Sequence, residues 1–345
     1  WVAAFFGMAT IFAEAVLAQT YRGVNAQGHV VGGPAFYMRQ GLGEKFKPMA
    51  IFFSVVAVLT MGFTGSLVQS NTVSHALNEA FGIPLLASGI GVAIVSGLVF
   101  FGGMGRLASV AEKIVPFMAG IYIVGGTFVL VTHYDQIIPA FELIFTAAFY
   151  PEAVGGGALG LTVARAMQFG VARGLFSNEA GMGTTPHAHA VAKVEHPAEQ
   201  GLVAIFGVFS TVVIVTLTVL VILVTGVMDF STTGIALTQK AYSVGLGSIG
   251  VGFVAICLFF FAYSTIIAWY FFSEQNVRYL FKNKGITLYR LFVCACLVVG
   301  AVTQVNLVWS ISDLFNGIMV IPNVIALVLL HKVVGNSLKD FEEKL

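Results

Sequence analysis

Charge is what this chain is poorest in. Asp, Glu, Lys and Arg together make 10% of its 345 residues, where soluble domains carry about 25%. A soluble fold of this length has no surface on which to hide so few charges, and that class is excluded. Cysteine is nearly absent as well. Cys257, Cys294 and Cys296 all lie in apolar runs, no CxxC pair occurs, and Cys294 and Cys296 point about 200° apart on a helix. They read as small packing residues and fix no redox compartment. The GGGALG run at 155–160 lacks the lysine and strand of a phosphate cradle, which counts against ATP-driven transport. His187, His189 and His196 have no carboxylate at ligand spacing, so they read as cytoplasmic loop histidines and not as a metal site. The net charge of +1 singles out no partner.

What is present is hydrocarbon. The mean hydropathy is +0.92, and 58% of the residues are apolar. About 20 such residues in a row cross a bilayer. Nine segments qualify or nearly so, at about 1–19, 49–76, 84–102, 108–132, 156–185, 201–227, 248–273, 287–303 and 306–331. The fold class expected is an all-α polytopic membrane protein with about nine transmembrane helices. Of the 17 Lys and Arg residues, only Lys240 falls among loops of the other parity, so the 20–47 loop and the C-terminus are expected in the cytoplasm. Trp1 lies inside an apolar run, and a further segment is expected upstream of it. Three short pieces are not spans: 32–46 on the cytoplasmic side, and 136–150 and 231–245 outside, each with a short helical pattern.

The stretch from Phe169 to His189, FGVARGLFSNEAGMGTTPHAH, is a polar, glycine-punctuated break in a span. Irregular backbone at membrane depth survives only when buried in protein or lining a cavity, and broken helices mark the binding sites of secondary transporters. Freed carbonyls and amides around Ser177 and Asn178 would hold a zwitterionic or ionic ligand. Within the break, Glu179 is either a participant in the site or a structural charge tied to Arg173 or a loop. A charge at mid-bilayer is costly enough to invite explanation, and Glu14 and Asp313 are others of this kind. For Asp313 a gate or helix-cap role stands beside that of a paired vestibule charge. Gln69, deep in its span, is either helix–helix glue or a substrate contact. Thr265 and Trp269 share a helix face. The hydroxyls of Ser264 and Thr265 can ligate Na⁺, a hard cation, or back-bond to the preceding turn.

These residues carry a resemblance. VAAFFGMATIFAEAVLAQTYR with GGPAFYM, then VQSNTVSHAL, GVARGLFSNEAGMGTTPHAHA with HPAEQGL, FAYSTIIAWYF and ISDLFNGIMVIPN run collinearly over essentially the whole chain. Together they resemble the bacterial and archaeal sodium:alanine (glycine) symporter family. The resemblance implies a leucine-transporter-type fold, a five-plus-five inverted repeat with broken first and sixth helices. The nine spans then become helices two to ten, with 1–132 the remainder of the first repeat, 154–331 the second and 332–345 a cytoplasmic tail. The family's first broken helix is expected upstream of Trp1.

By the same resemblance the substrate contacts are Gln69, Phe176, Ser177, Asn178, Thr265 and Trp269, the sodium ligands Ser264 and Thr265, and Glu179 and Asp313 gate or coupling residues. The implied activity is sodium-driven import of alanine or glycine across the cell membrane, without catalysis, cofactor or nucleic acid. Alternatives are a proton-coupled carrier of another small solute and a membrane-embedded His/Glu metalloenzyme.

Overall fold

The structure is a computed structural model describing residues 1–345 except 25–27, 150–158, 229–231, 233, 283 and 345. The first residues of the 156–185 span, and most of the GGGALG run, lie outside the described residues.

A helix closes its own backbone hydrogen bonds, which lipid requires, and the apolar runs wind accordingly. α1 covers Val2–Thr20. A small hairpin of β1 (Gly23–Val24) and β2 (Val30–Val31) follows, then α2 (Pro34–Gly41). α3 (Lys47–Ala57) continues through a π-helical stretch, Val58–Thr64, into α4 (Gly65–Phe81). Gly82, at φ 67°, donates to the Asn78 carbonyl and ends α4, and Pro84 opens α5 (Leu85–Phe100). That is the usual glycine-stop, proline-start punctuation. α6 (Gly103–Thr132) and α7 (Ile137–Phe149) precede α8 (Leu159–Asn178) and the short α9 (Pro186–Val191). α10 (Pro197–Val224), α11 (Gly234–Leu246), α12 (Gly250–Phe281), α13 (Ile286–Val302), α14 (Val305–Leu329) and α15 (His331–Glu342) complete the chain.

Among the described residues six helical stretches are long and apolar enough to cross a membrane, and α5 and α13 are shorter apolar helices. Their outward faces carry Phe5, Ile94, Val124, Phe206, Leu288 and Val328, all more than half exposed. Lipid solvates such side chains at no cost. The protein is a multi-pass, all-α membrane protein. One local feature differs from the sequence reading: the segment after α1 contains a β-hairpin. The C-terminal tail, whose secondary structure the sequence reading left open, is helical.

Two packed groups sit side by side. In one, α1 lies against α10, where Gly201 receives the ring of Phe12. α8 and α9 flank this pair, and α15 covers its basic end with Val334 and Phe341. There His196 caps α10 and donates to Asp340 at 3.1 Å. Lys344 and His196 together hold the exposed Asp340 carboxyl below its ordinary range. In the other group α4, α5, α12 and α13 pack tightly, with α3 and α14 alongside. Ser70 Oγ donates to the Leu297 carbonyl (2.5 Å), and Asn71 Nδ2 to those of Gly300 (2.9 Å) and Thr303 (2.7 Å). These bonds are possible because Gly300 lets the backbone of Leu67 approach directly.

A Cβ at Gly300 would lie 2.6 Å from Leu67 Cα. Gly300→Ala is therefore expected to push α4 from α13 and cost about 1–3 kcal/mol by overpacking. Gly317→Ala, where nothing lies within 4 Å, is the control. Thermal melting of both variants in detergent checks this: the first should melt earlier, the second should not.

Candidate functional site: the break between α8 and α9

α8 stops at Asn178, seven residues of turn follow, and Pro186 opens α9. The backbone itself explains the stop. Glu179 adopts φ 56°, Gly181 89° and Gly183 79°, so three of five consecutive residues leave the right-handed region. Two are glycine, which does this without penalty. Glu179 is not, and left-handed backbone costs a non-glycine residue roughly 1–2 kcal/mol. Its side chain supplies the reason it is held there. One carboxylate oxygen accepts the indole N–H of Trp269 at 2.6 Å, and the other accepts the Thr184 hydroxyl at 2.5 Å. Glu179 thus ties the break to α12. It is not tied to Arg173.

The break's far wall is another carboxylate. Glu14, wholly buried on α1, accepts the amide N–H groups of Gly181 and Gly183 at 2.9 Å each and Asn323 Nδ2 at 2.6 Å. Asn323 also donates to the Gly181 carbonyl at 2.9 Å and accepts the hydroxyl of the buried Tyr37 on α2. Hydrogen bonds to charged groups contribute about 1.5–3 kcal/mol each, the scale needed to keep a carboxylate out of water. The sequence reading left the amides of the break free for a ligand. The structure corrects this for two of them, because Glu14 has taken both.

The carbonyl side is different. Among the described residues no amide or side chain donates to the carbonyls of Phe176, Ser177 and Asn178. They sit at the C-terminus of α8, the negative end of its dipole. With Glu179 beside them, this end of the break fits a cation or an ammonium group.

The predicted residues divide accordingly. Trp269 is 2% exposed and lies against Gly65 of α4, with room only because position 65 has no side chain. Phe176 packs on Trp269 (ring centroids 5.4 Å) and on Trp309 of α14 (5.5 Å). Gln69 and Thr265 each lie one turn, about 6 Å, beyond the Gly65–Trp269 contact on the same side, since α4 and α12 run in opposite directions. Gln69 has no hydrogen bond among the described residues, whereas Ser70 and Asn71 beside it are spent on α13. The hydroxyls of Ser264 and Thr265 both donate to the Phe261 carbonyl, at 2.8 and 3.1 Å. That is the back-bonded arrangement, and it gathers three oxygens on one turn of α12. Ser177 is exposed. Asn178 points elsewhere, into an apolar groove of about 700 Å³ between α1 and α8 that Thr10 and Leu175 also line. Asp313 forms a two-bond ion pair with Arg173 (2.5 and 3.2 Å), and Arg173 lies 4.4 Å from the Trp309 ring. This pair closes over the aromatic stack.

Comparison with known proteins decides the family. The family model described as the sodium:alanine symporter family matches residues 1–345. The chain belongs to the sodium:alanine symporter family. It is 41% identical over 350 residues to the sodium/alanine symporter AgcS of Methanococcus maripaludis, covering 99% of this chain and 76% of that one. Similarity extends to the probable sodium/glutamine symporter GlnT of Bacillus subtilis (42% over 344 residues, 99% and 70% covered). An uncharacterized transporter of Haemophilus influenzae is 39% identical over 349 residues, 100% and 76% covered. This symporter family member is a transporter and not an enzyme, and its class of activity is sodium-coupled amino-acid symport.

Sequence reasoning missed Glu14 as part of the break, together with Asn323, Tyr37 and His187. His187 is 2% exposed, donates from Nδ1 to the Thr184 carbonyl at 2.7 Å and accepts Asn276 Nδ2 at 2.8 Å. It is a buried tie between α9 and α12, not a loop histidine. The available signal was a polar residue inside an apolar run, which Glu14 and Asn323 share; Asn276 sits in the polar stretch 273–276 and gave no such signal.

A Cβ at Gly65 would stand 2.2 Å from the Trp269 ring. Gly65→Ala should therefore displace the indole from Glu179, blue- or red-shift its fluorescence and weaken ligand binding at least tenfold. Unchanged emission and binding would show that the ring is not seated on Gly65.

Proposed function

We propose that this symporter imports alanine or glycine, driven by Na⁺, through alternating access. The observation carrying the proposal is the juxtaposition, at one end of α8, of unpaired carbonyls, the Glu179 carboxylate and the Phe176–Trp269 ring pair. The substrate's ammonium would meet the carbonyls of Phe176 and Ser177, with Gln69 and Thr265 completing the wall. Two large rings over that point leave little volume for a side chain, which favours a hydrogen or methyl group over larger substituents, since overlap costs more than added contact returns. In the same reading Asn178 supports the end of α8 from the groove side.

For Na⁺ the supporting feature is the oxygen cluster of Phe261, Ser264 and Thr265. Both hydroxyls keep acceptor lone pairs toward a cation while α12 stays helical. Na⁺ bound there would stabilise the outward-open form in which substrate enters. Arg173 and Asp313 would then act as the outer latch. Each is roughly 40% exposed, where an ion pair contributes about 0–1 kcal/mol, weak enough to open in every cycle. Glu179, by releasing or gripping Trp269, would couple occupancy to closure. The two repeats would comprise residues 1–132 and 154–331 in a leucine-transporter-type arrangement. In this reading the protein sits in the cell membrane, and the Lys and Arg asymmetry supports an orientation with the basic loops and the 332–345 tail in the cytoplasm.

Uptake of labelled alanine into vesicles, with and without an imposed Na⁺ gradient, tests the reading. Accumulation is expected only with the gradient, competed by glycine and poorly by glutamine. Uptake driven by a proton gradient alone would replace sodium with protons as the coupling ion. Thr265→Val removes one ligand oxygen and should raise the Na⁺ needed for half-maximal uptake about tenfold, equivalent to about 1.4 kcal/mol. Trp269→Ala should admit larger amino acids, read by the same competition assay.

A further inference from the structure

Glu14 is the one wholly buried acid on α1, and nothing in the transport reading uses it. Its surroundings are specific. Gly181 and Gly183, both at positive φ, aim their N–H groups at its two oxygens, and Asn323 adds a third donor. Successive amides in alternating backbone form a concavity that binds anions. Three donors converging on two oxygens is a pattern that a carboxylate, an acceptor only, satisfies. Space around the site is filled: Gly7 of α1 meets Ala180, and Gly183 is covered by Phe53 and Pro34.

We infer that Glu14 is a positioning residue for transport, an internal anion that occupies the amide concavity of the break. It has two effects. It fixes the seven-residue turn, so the carbonyls of Phe176 and Ser177 stay exposed at the end of α8. It also closes the amide side to the substrate's own carboxylate, so that an amino acid can dock at this break only by its ammonium end. Asn323 extends the clamp to α14, and its bond from Tyr37 extends it to α2. Movement of α2 and α14 therefore reaches the break both through the Glu14 carboxylate and through the direct bond of Asn323 to the Gly181 carbonyl. The orientation argument rests on the proposed amino-acid substrate; the clamp itself does not.

The test uses the full chain with Glu14→Gln, Glu14→Ala and Glu14→Asp. Glutamine has the same shape, but its NH₂ group must face at least one of the three donors. Hydrogen exchange of the 179–185 segment without substrate reads the clamp directly. Exchange at Gly181 and Gly183 should rise at least tenfold in E14Q, with the melting temperature little changed, and alanine affinity should fall at least tenfold. In E14A the vacated space admits formate, which should restore alanine binding and slow exchange, whereas equal chloride-free buffer without formate should not. Wild-type exchange and wild-type alanine affinity in E14Q would overturn the inference, as would an E14A defect indifferent to formate. Should neither variant fold, E14D decides. It keeps the charge but withdraws it by one methylene, and unchanged exchange in E14D would equally overturn the clamp. If wild type takes up no alanine, the substrate reading fails while the exchange result still judges Glu14.

Discussion

Everything at the centre of this protein follows from one constraint: backbone polar groups inside a membrane must find partners. Over most of the chain helices meet that requirement internally. Between Asn178 and Pro186 they cannot, because Glu179, Gly181 and Gly183 turn the chain out of helical geometry. The amides of Gly181 and Gly183 are taken by Glu14, and the carbonyls of Phe176, Ser177 and Asn178 at the end of α8 are left open among the described residues. An interruption that would be prohibitively costly in bare lipid is thus made stable on one side and available on the other. The asymmetry gives the site its polarity.

The same stretch is tied outward in three directions. Glu179 reaches Trp269 on α12, His187 reaches Asn276 about two turns further along α12, and Asn323 of α14 reaches both Glu14 and the Gly181 carbonyl. These partners belong to both packed groups of helices. The break is therefore one place where the α1–α10 group and the α4–α12–α13 group are joined by directional bonds, the Arg173–Asp313 ion pair between α8 and α14 being another. A site held by a few hydrogen bonds between two bodies can change shape as the bodies move, which is the physical requirement of a carrier. Gly65 contributes in a quieter way, since its missing side chain is the seat of the Trp269 ring.

Much of this was legible from residue order. Long apolar runs, the glycine and proline at 82–84, and the polar interruption after Phe176 each have a local physical cause, and each appears where local rules put it. Family membership was legible too, because short motifs around the break are distinctive. The β-hairpin after α1 was not, since four strand residues around a turn carry no periodicity. The division of labour among Gln69, Ser70 and Asn71 was equally hidden. Three neighbouring polar residues look alike in a sequence, and only the presence of α13 against two of them distinguishes glue from an unspent amide.

Composition and hydrophobic run length, properties of the chain alone, determined that this is a helical membrane protein, and the polar, glycine-rich stretch after Phe176 marked a broken segment, because the bilayer tolerates so few alternatives. Which groups of that segment remain free was a matter of long-range packing. Glu14 lies 167 residues from Gly181, and Asn323 lies 309 from Glu14. No local pattern encodes such pairings. They arise when helices distant in sequence are pressed together and each buried donor takes the acceptor that the fold has brought within reach.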